Sequence, residues 1–163
     1  MSITGFWYLS EFNPHNPTGI VGGARGAVKL VGLLGELFEQ GYSPILGEGA
    51  YERFRKVYFR NEGSEIAGAK AFFDTLTHID QLAFAFQKTP GDTSTNILTM
   101  PGGYTGGDFT TPIGLPNGKD TPHGGIIPAN TGEVGFWIRE HIPEGLSPET
   151  GALGRLRITG RFS

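Results

Sequence analysis

Residues 51 to 63, YERFRKVYFRNEG, carry the densest chemistry in the chain. Arg53, Arg55, Lys56 and Arg60 are interleaved there with Tyr51, Phe54, Tyr58 and Phe59. Cations hold phosphates and aromatic rings stack on bases, so this mixture is one that a single-stranded nucleic-acid groove uses. It is equally the pattern of a β-strand whose partly solvated face carries long basic side chains. Net charge weighs the choice: 13 Lys and Arg stand against 16 Asp and Glu, a balance of -3. A dedicated nucleic-acid binder usually has a basic balance. The expectation is a strand whose arginines pair with Asp and Glu on an adjacent strand or subunit, with no nucleic acid as partner.

Elsewhere the residue types that do chemistry lack the spacing for it. No Gly-x-Ser-x-Gly run supplies a nucleophile elbow. GGARGAVK, residues 22 to 29, is glycine-rich but lacks the Gly-Lys-Ser/Thr ending that holds phosphate and magnesium. His15, His78, His123 and His141 are far apart, and His78 with Asp80 offers only two ligands in one loop. MPGGYTGGD lacks the acidic repeat of a calcium loop. Cysteine is absent, which removes disulfides, thiol catalysis and thiolate metal sites. No catalytic residue, cofactor site or metal site is assigned, and a non-enzymatic role is expected.

The elements that would position these residues follow from the apolar pattern. Glycine and proline, 27 and 11 of 163 residues, signal many turns, while 37% hydrophobic residues suffice for a core. Phe6, Trp7 and Tyr8 open the chain as a short strand or an arm, packed either on its own domain or on a neighbouring subunit. NPHNPTG and the following glycines predict a loop through residue 23. Residues 24 to 40 read either as a helix or as a strand over 27–31 followed by a helical turn over 33–39. Alternation then predicts strands in 53–60, 69–76, 81–88, 133–140 and the closing LGRLRITGRF. Asn61 to Ser64 reads as a turn, and Asn117-Gly118 as a hairpin-type turn. The fold expected is all-β: an antiparallel β-sandwich, Ig-like or jelly-roll-like, with at most one short helix. Residues 1–23 form its N-terminal arm and loop, and 24–163 a single sandwich domain. The opening MSITGFWYLSEF has no signal-peptide pattern, and no run is apolar enough to span a membrane.

Several blocks in this order look familiar: YERFRKVYFRN, AKAFFD, FTTPIGLPNG, GEVGFWIREHIPEG and LRITG. Over roughly residues 48 to 160 the chain resembles small Ig-like structural proteins of tailed bacteriophages, notably head decoration (cement or auxiliary) proteins. The WYLS…GG opening also fits. The resemblance implies a virion protein made in the host cytoplasm, without cofactor, that binds the capsid exterior. Its implied partners are the major capsid protein and itself, as a homotrimer, with no membrane involved. Two segments are candidates for contacts. One is the aromatic N-terminal stretch with Phe6, Trp7, Tyr8 and Phe12, because aromatics favour interfaces. The other is the Gly/Pro-rich region 99–125 with Tyr104 and Phe109, which is too long for an ordinary hairpin loop. A tail, neck or baseplate location is an alternative. So is a carbohydrate-binding module in which Trp7, Trp137, Tyr104 and Tyr51 stack on sugars.

Overall fold

Alternating side chains over stretches of five to eleven residues build the frame. The structure, a computed structural model, describes residues 5–12, 19–30, 50–77, 81–144 and 154–162. Its strands are β1 (Gly5–Phe12), β2 (Val21–Lys29), β3 (Tyr51–Asn61), β4 (Ile66–Leu76) and β5 (Leu82–Phe86). They continue with β6 (Thr93–Ser94), β7 (Lys119–Asp120), β8 (Glu133–Ile142) and β9 (Gly154–Phe162). A six-stranded sheet runs β5-β8-β3-β1-β2-β6 and a three-stranded sheet runs β7-β4-β9. All strand pairs are antiparallel. The expected all-β sandwich is the observed one.

The period of two decides what lies between the sheets. On β3, Val57 and Phe59 face the same way as Val134, Phe136 and Ile138 of the paired β8. Rings then carry the core from one sheet to the other. Trp7 meets Phe136 at 5.3 Å between centroids, Phe136 meets Phe84 at 5.5 Å, and Phe84 meets Phe73 of β4 at 5.7 Å. Such tilted and edge-on contacts suit the ring quadrupole and add to the burial of apolar surface.

The opposite face of the six-stranded sheet is covered too, but not by strands. Phe54 packs on Phe109 at 5.6 Å, Trp137 on Tyr104 at 6.2 Å, and the Phe54 N–H donates to the Ile97 carbonyl at 2.7 Å. The segment from 88 to 109 therefore lies across the sheet as a third, irregular layer. Every residue of β3 from Arg53 to Phe59 is buried as a result. That is why neither face of this strand reads as purely apolar or purely polar. Gly22 belongs to the same closure. Its φ is +99°, and a Cβ there would lie 2.6 Å from the Trp137 ring, so only glycine lets β2 begin across that indole.

Several expectations are corrected by the ladders. Residues 5–12 are no separate arm: β1 pairs with β3 on one side and β2 on the other, so the short-strand reading holds. The loop expected through residue 23 ends at Ile20, because Val21 and Gly22 pair with β6. A boundary at residue 23 would cut through β2. Residues 24–29 are strand, not helix, and the helical turn over 33–39 lies outside the described residues. Asn117-Gly118 joins no hairpin. It closes a 3-10 turn, Leu115–Asn117, whose Gly118 has φ −56° and leads into β7 beside β4.

Phe136 is the hub of the inter-sheet rings, touching Trp7, Phe84 and Phe86. Phe136→Ala should cost about 3–5 kcal/mol, as a large-to-small change in a closed core does. Urea denaturation checks this. A cost below about 1 kcal/mol would mean that the core collapses around the gap or that the ring is not central.

Candidate functional site

The basic residues of β3 divide by parity onto two faces. Arg53 lies directly opposite Glu140 of β8, and its Nε donates to a Glu140 carboxylate oxygen at 2.6 Å, with both side chains buried. Arg55 follows on the same face. Burial first, and the charge of Arg53 second, lower its guanidinium to about 10. Burial raises the Glu140 carboxyl, and the attraction and hydrogen bond of Arg53 oppose that rise. This pair stands on the adjacent strand, as the sequence suggested.

Lys56 points the other way, beneath the irregular layer, and is fully buried. Its Nζ donates to the Asp92 carboxylate and, at 3.0 Å, to the Gly23 carbonyl. The Tyr58 hydroxyl donates to the same carbonyl at 2.7 Å, and the Tyr104 hydroxyl donates to Asp92. The Lys88 N–H in turn donates to the Tyr104 oxygen at 2.6 Å. Loss of hydration lowers the ammonium of Lys56, against the hydrogen bond and charge of Asp92. Burial also leads the causes that push the Tyr58 and Tyr104 hydroxyls well above their ordinary value.

A lysine, a carboxylate and two tyrosines with shifted proton affinities form the pattern of an acid–base centre. Here the pattern is closed off from solvent: Lys56 exposes nothing and the Asp92 side chain only 8%. The cluster ties the start of β2, the strand β3 and the covering layer together at one buried charge. Sequence inspection missed it because Asp92 and Tyr104 lie 36 and 48 positions from Lys56. The signal available was a lysine among aromatics in a run too apolar around it to be solvated.

The same placement accounts for the basic residues of 51–63. Arg53, Arg55 and Lys56 are buried, and Arg60 sits 3.7 Å from Glu133. This strand presents no open row of cations to a phosphate backbone.

The six candidate contact residues separate into two groups. Phe6 and Phe12 are 42% and 43% exposed, at the two ends of β1, with the Lys29 ammonium 3.9 Å above the Phe6 ring. Trp7 is half-buried on the inner face, and Tyr8 is buried, its hydroxyl donating to Glu62 at 2.6 Å. Tyr104 and Phe109 are corrected outright: both are core residues, because the layer carrying them folds inward over Phe54 and Trp137. Stacking on sugar by Trp137 and Tyr104 fails for the same reason, and Trp7 spends its ring on Phe59 and Phe136. His15, His78 and Asp80 lie outside the described residues. His141 lies 3.8 Å from Glu52.

Among the described residues, exposed apolar side chains lie mostly in or beside the two segments singled out from sequence, with Ile20 and Val28 outside them. The large ones are Phe6 and Phe12 in the first, Ile113 and Leu115 in the second, Leu98 and Ile126 beside the second, and Ile20 and Val28 just before and within β2. Beside Ile126 an open cleft of about 300 Å³ is walled by Pro90, Pro122, His123 and Pro128, with Lys88 and Glu133 in its lining. His123 holds a left-handed φ of 62°, followed by Gly124 and Gly125 at 69° and 80°, so this wall turns sharply. No protein family, curated protein or solved structure matches the chain.

Removing one partner of the buried cluster should be far worse than removing both. Lys56→Met is expected to cost about 3–5 kcal/mol by stranding the Asp92 charge. The double variant with Asp92→Leu should fall short of the summed single costs by more than about 1 kcal/mol. Additive costs in urea unfolding would deny the coupling. Alkaline titration gives a second check. A hydroxyl raised in the fold contributes stability that is complete below the unfolded value of 10.0 and declines as pH rises beyond it. Tyr58 and Tyr104 should therefore develop tyrosinate absorbance only together with unfolding. Five tyrosines ionising smoothly near 10 in the folded protein would contradict this.

Proposed function

We propose that the protein is a non-enzymatic virion structural protein of a tailed phage, and within that class a decoration protein binding the outer surface of the head. The observation that carries the reading is the division of labour among its side chains. The ionisable groups best suited to chemistry, Lys56, Asp92, Tyr104, Arg53 and Glu140, are turned inward to hold layers together. Most of the exposed apolar side chains among the described residues, in contrast, lie in or beside the two segments named from sequence as contact candidates.

The physical account is multivalency on a rigid frame. Two packed sheets keep Phe6 and Phe12 in fixed relation about 20 Å apart along β1, from the rise of an extended strand. A homotrimer of such frames presents three copies of each contact at once. Weak contacts held together in this way bind far more tightly than one alone, which suits a protein that must oppose pressure on a shell. The major capsid protein is the partner this reading requires.

Truncation is a poor test, since residues 5–12 form an internal strand. Point changes at the exposed ends are better. Phe6→Ser with Phe12→Ser should leave the urea midpoint nearly unchanged, as surface substitutions do, within about 0.5 kcal/mol each. The pair should abolish co-sedimentation with expanded heads that lack their own decoration. Retained binding by the folded variant would remove β1 from the interface. The native mass of the wild-type chain, expected at about three times 17.5 kDa, tests the assembly. A ring of six or more would move the role to neck, tail or baseplate.

A further inference from the structure

Strand β9 of the three-stranded sheet carries a surface that the head-binding reading does not use. The strands of that sheet hold five cations, Lys70, Lys119, Arg155, Arg157 and Arg161, against two carboxylates, Asp74 and Asp120. This excess lies on a chain whose overall charge is -3, so the sheet is a basic island. Its arginines are concentrated on β9. Leu156 points inward against the core, while Arg155, Arg157 and Arg161 share the outward face at alternate positions. The side chains of Arg155 and Arg157 are 58% and 53% exposed. They share a single carboxylate, Asp74, at 3.5 and 3.3 Å.

β9 is also a sheet edge. Among the described residues its strand partner is β4 alone, and no strand lies on its other side. An edge strand leaves backbone N–H and C=O groups facing outward, ready to template another strand.

We propose that the outer edge of β9 is a docking site for an acidic, extended segment of a partner protein, added as a fourth strand. Charge complementarity selects this occupant. Carboxylates at every second position of an added strand recur about 6.6–6.8 Å apart, the spacing at which Arg155 and Arg157 recur on β9. Opposite charges directly across a ladder stabilise the pairing. A second copy of β9 is disfavoured, because antiparallel pairing would set arginine against arginine. Edges blunted only against aggregation mostly use lysine, whereas the guanidinium fork matches carboxylate geometry. A backbone edge that no strand pairs among the described residues favours a polypeptide over a nucleic acid, which has no ladder to offer. The proposal rests on β9 alone and is independent of the capsid reading.

The probe is a capped octapeptide alternating glutamate with valine or threonine, titrated into the isotope-labelled full chain at low salt. Amide shifts should concentrate on residues 154–162, and affinity should weaken as salt rises. The folded Arg155→Gln/Arg157→Gln variant should bind about tenfold or more weakly, through lost charge-assisted hydrogen bonds. A peptide of the same charge with N-methylated backbone should fail to bind, whether or not the variant folds. Equal binding of the N-methylated peptide would overturn strand addition in favour of charge alone. Tighter binding of an eight-residue oligothymidylate would make the surface a nucleic-acid site instead. Absence of any shift on β9 would reduce the arginines to a guard against edge pairing.

Discussion

The outer half of this structure depends on one buried ammonium. Lys56 lies in the middle of β3 with no access to water, and a charge so placed is tolerated only if its hydrogen bonds are met. Asp92 and the Gly23 carbonyl meet them. In doing so they fix the position of the irregular layer and the start of β2. Trp137, Phe54 and Tyr58 are then buried under that layer as a consequence. A lysine that looked available for phosphate contact is thus an anchor for packing. The opposite face repeats the logic with Arg53 and Glu140, which join β3 to β8 where their cross-strand register sets them opposite each other.

Burial on both faces also explains what the sequence could and could not convey. β5 and β8 were legible because Leu82, Phe84 and Phe86, and Val134, Phe136 and Ile138, alternate cleanly. The arginines of β3 were legible as partners of acids on a neighbouring strand. The place of β1 was ambiguous, since three consecutive aromatics suit a core strand and a docking arm equally well. Tyr104 and Phe109 were misread because glycine and proline around them signal exposed turns. That signal describes the backbone and leaves the side chains undetermined: the Gly102-Gly103 and Gly106-Gly107 steps are exposed while the rings beside them point inward. The Lys56–Asp92–Tyr104 cluster had no local signature beyond a lysine set among aromatics, because its members meet only through the tertiary fold.

What remains outside is correspondingly simple. Apolar contacts gather along β1–β2 and around the second Gly/Pro-rich segment, and cations gather on β9. The aromatic ends of β1 and the arginines of β9 lie on different sheets of one frame and share no side chain. The buried ion pairs between them contribute rigidity more than affinity, for they are unavailable to any partner.

The placement of β1 has a consequence for how the chain comes to exist. Strand β1 lies in the middle of the larger sheet and needs β3, ending at Asn61, on one flank. β3 in turn waits for β8, ending at Ile142, and β4 waits for β9, ending at Phe162. Neither layer can therefore close before its late strand, β8 or β9, has been made. A nascent chain would carry the aromatic face of Phe6, Trp7 and Tyr8 without its β3 partner until residue 61 has been made. Distant strand pairings of this kind are slow to form and leave apolar edges open in the interval, so the cell's chaperones would meet this protein before its partners do.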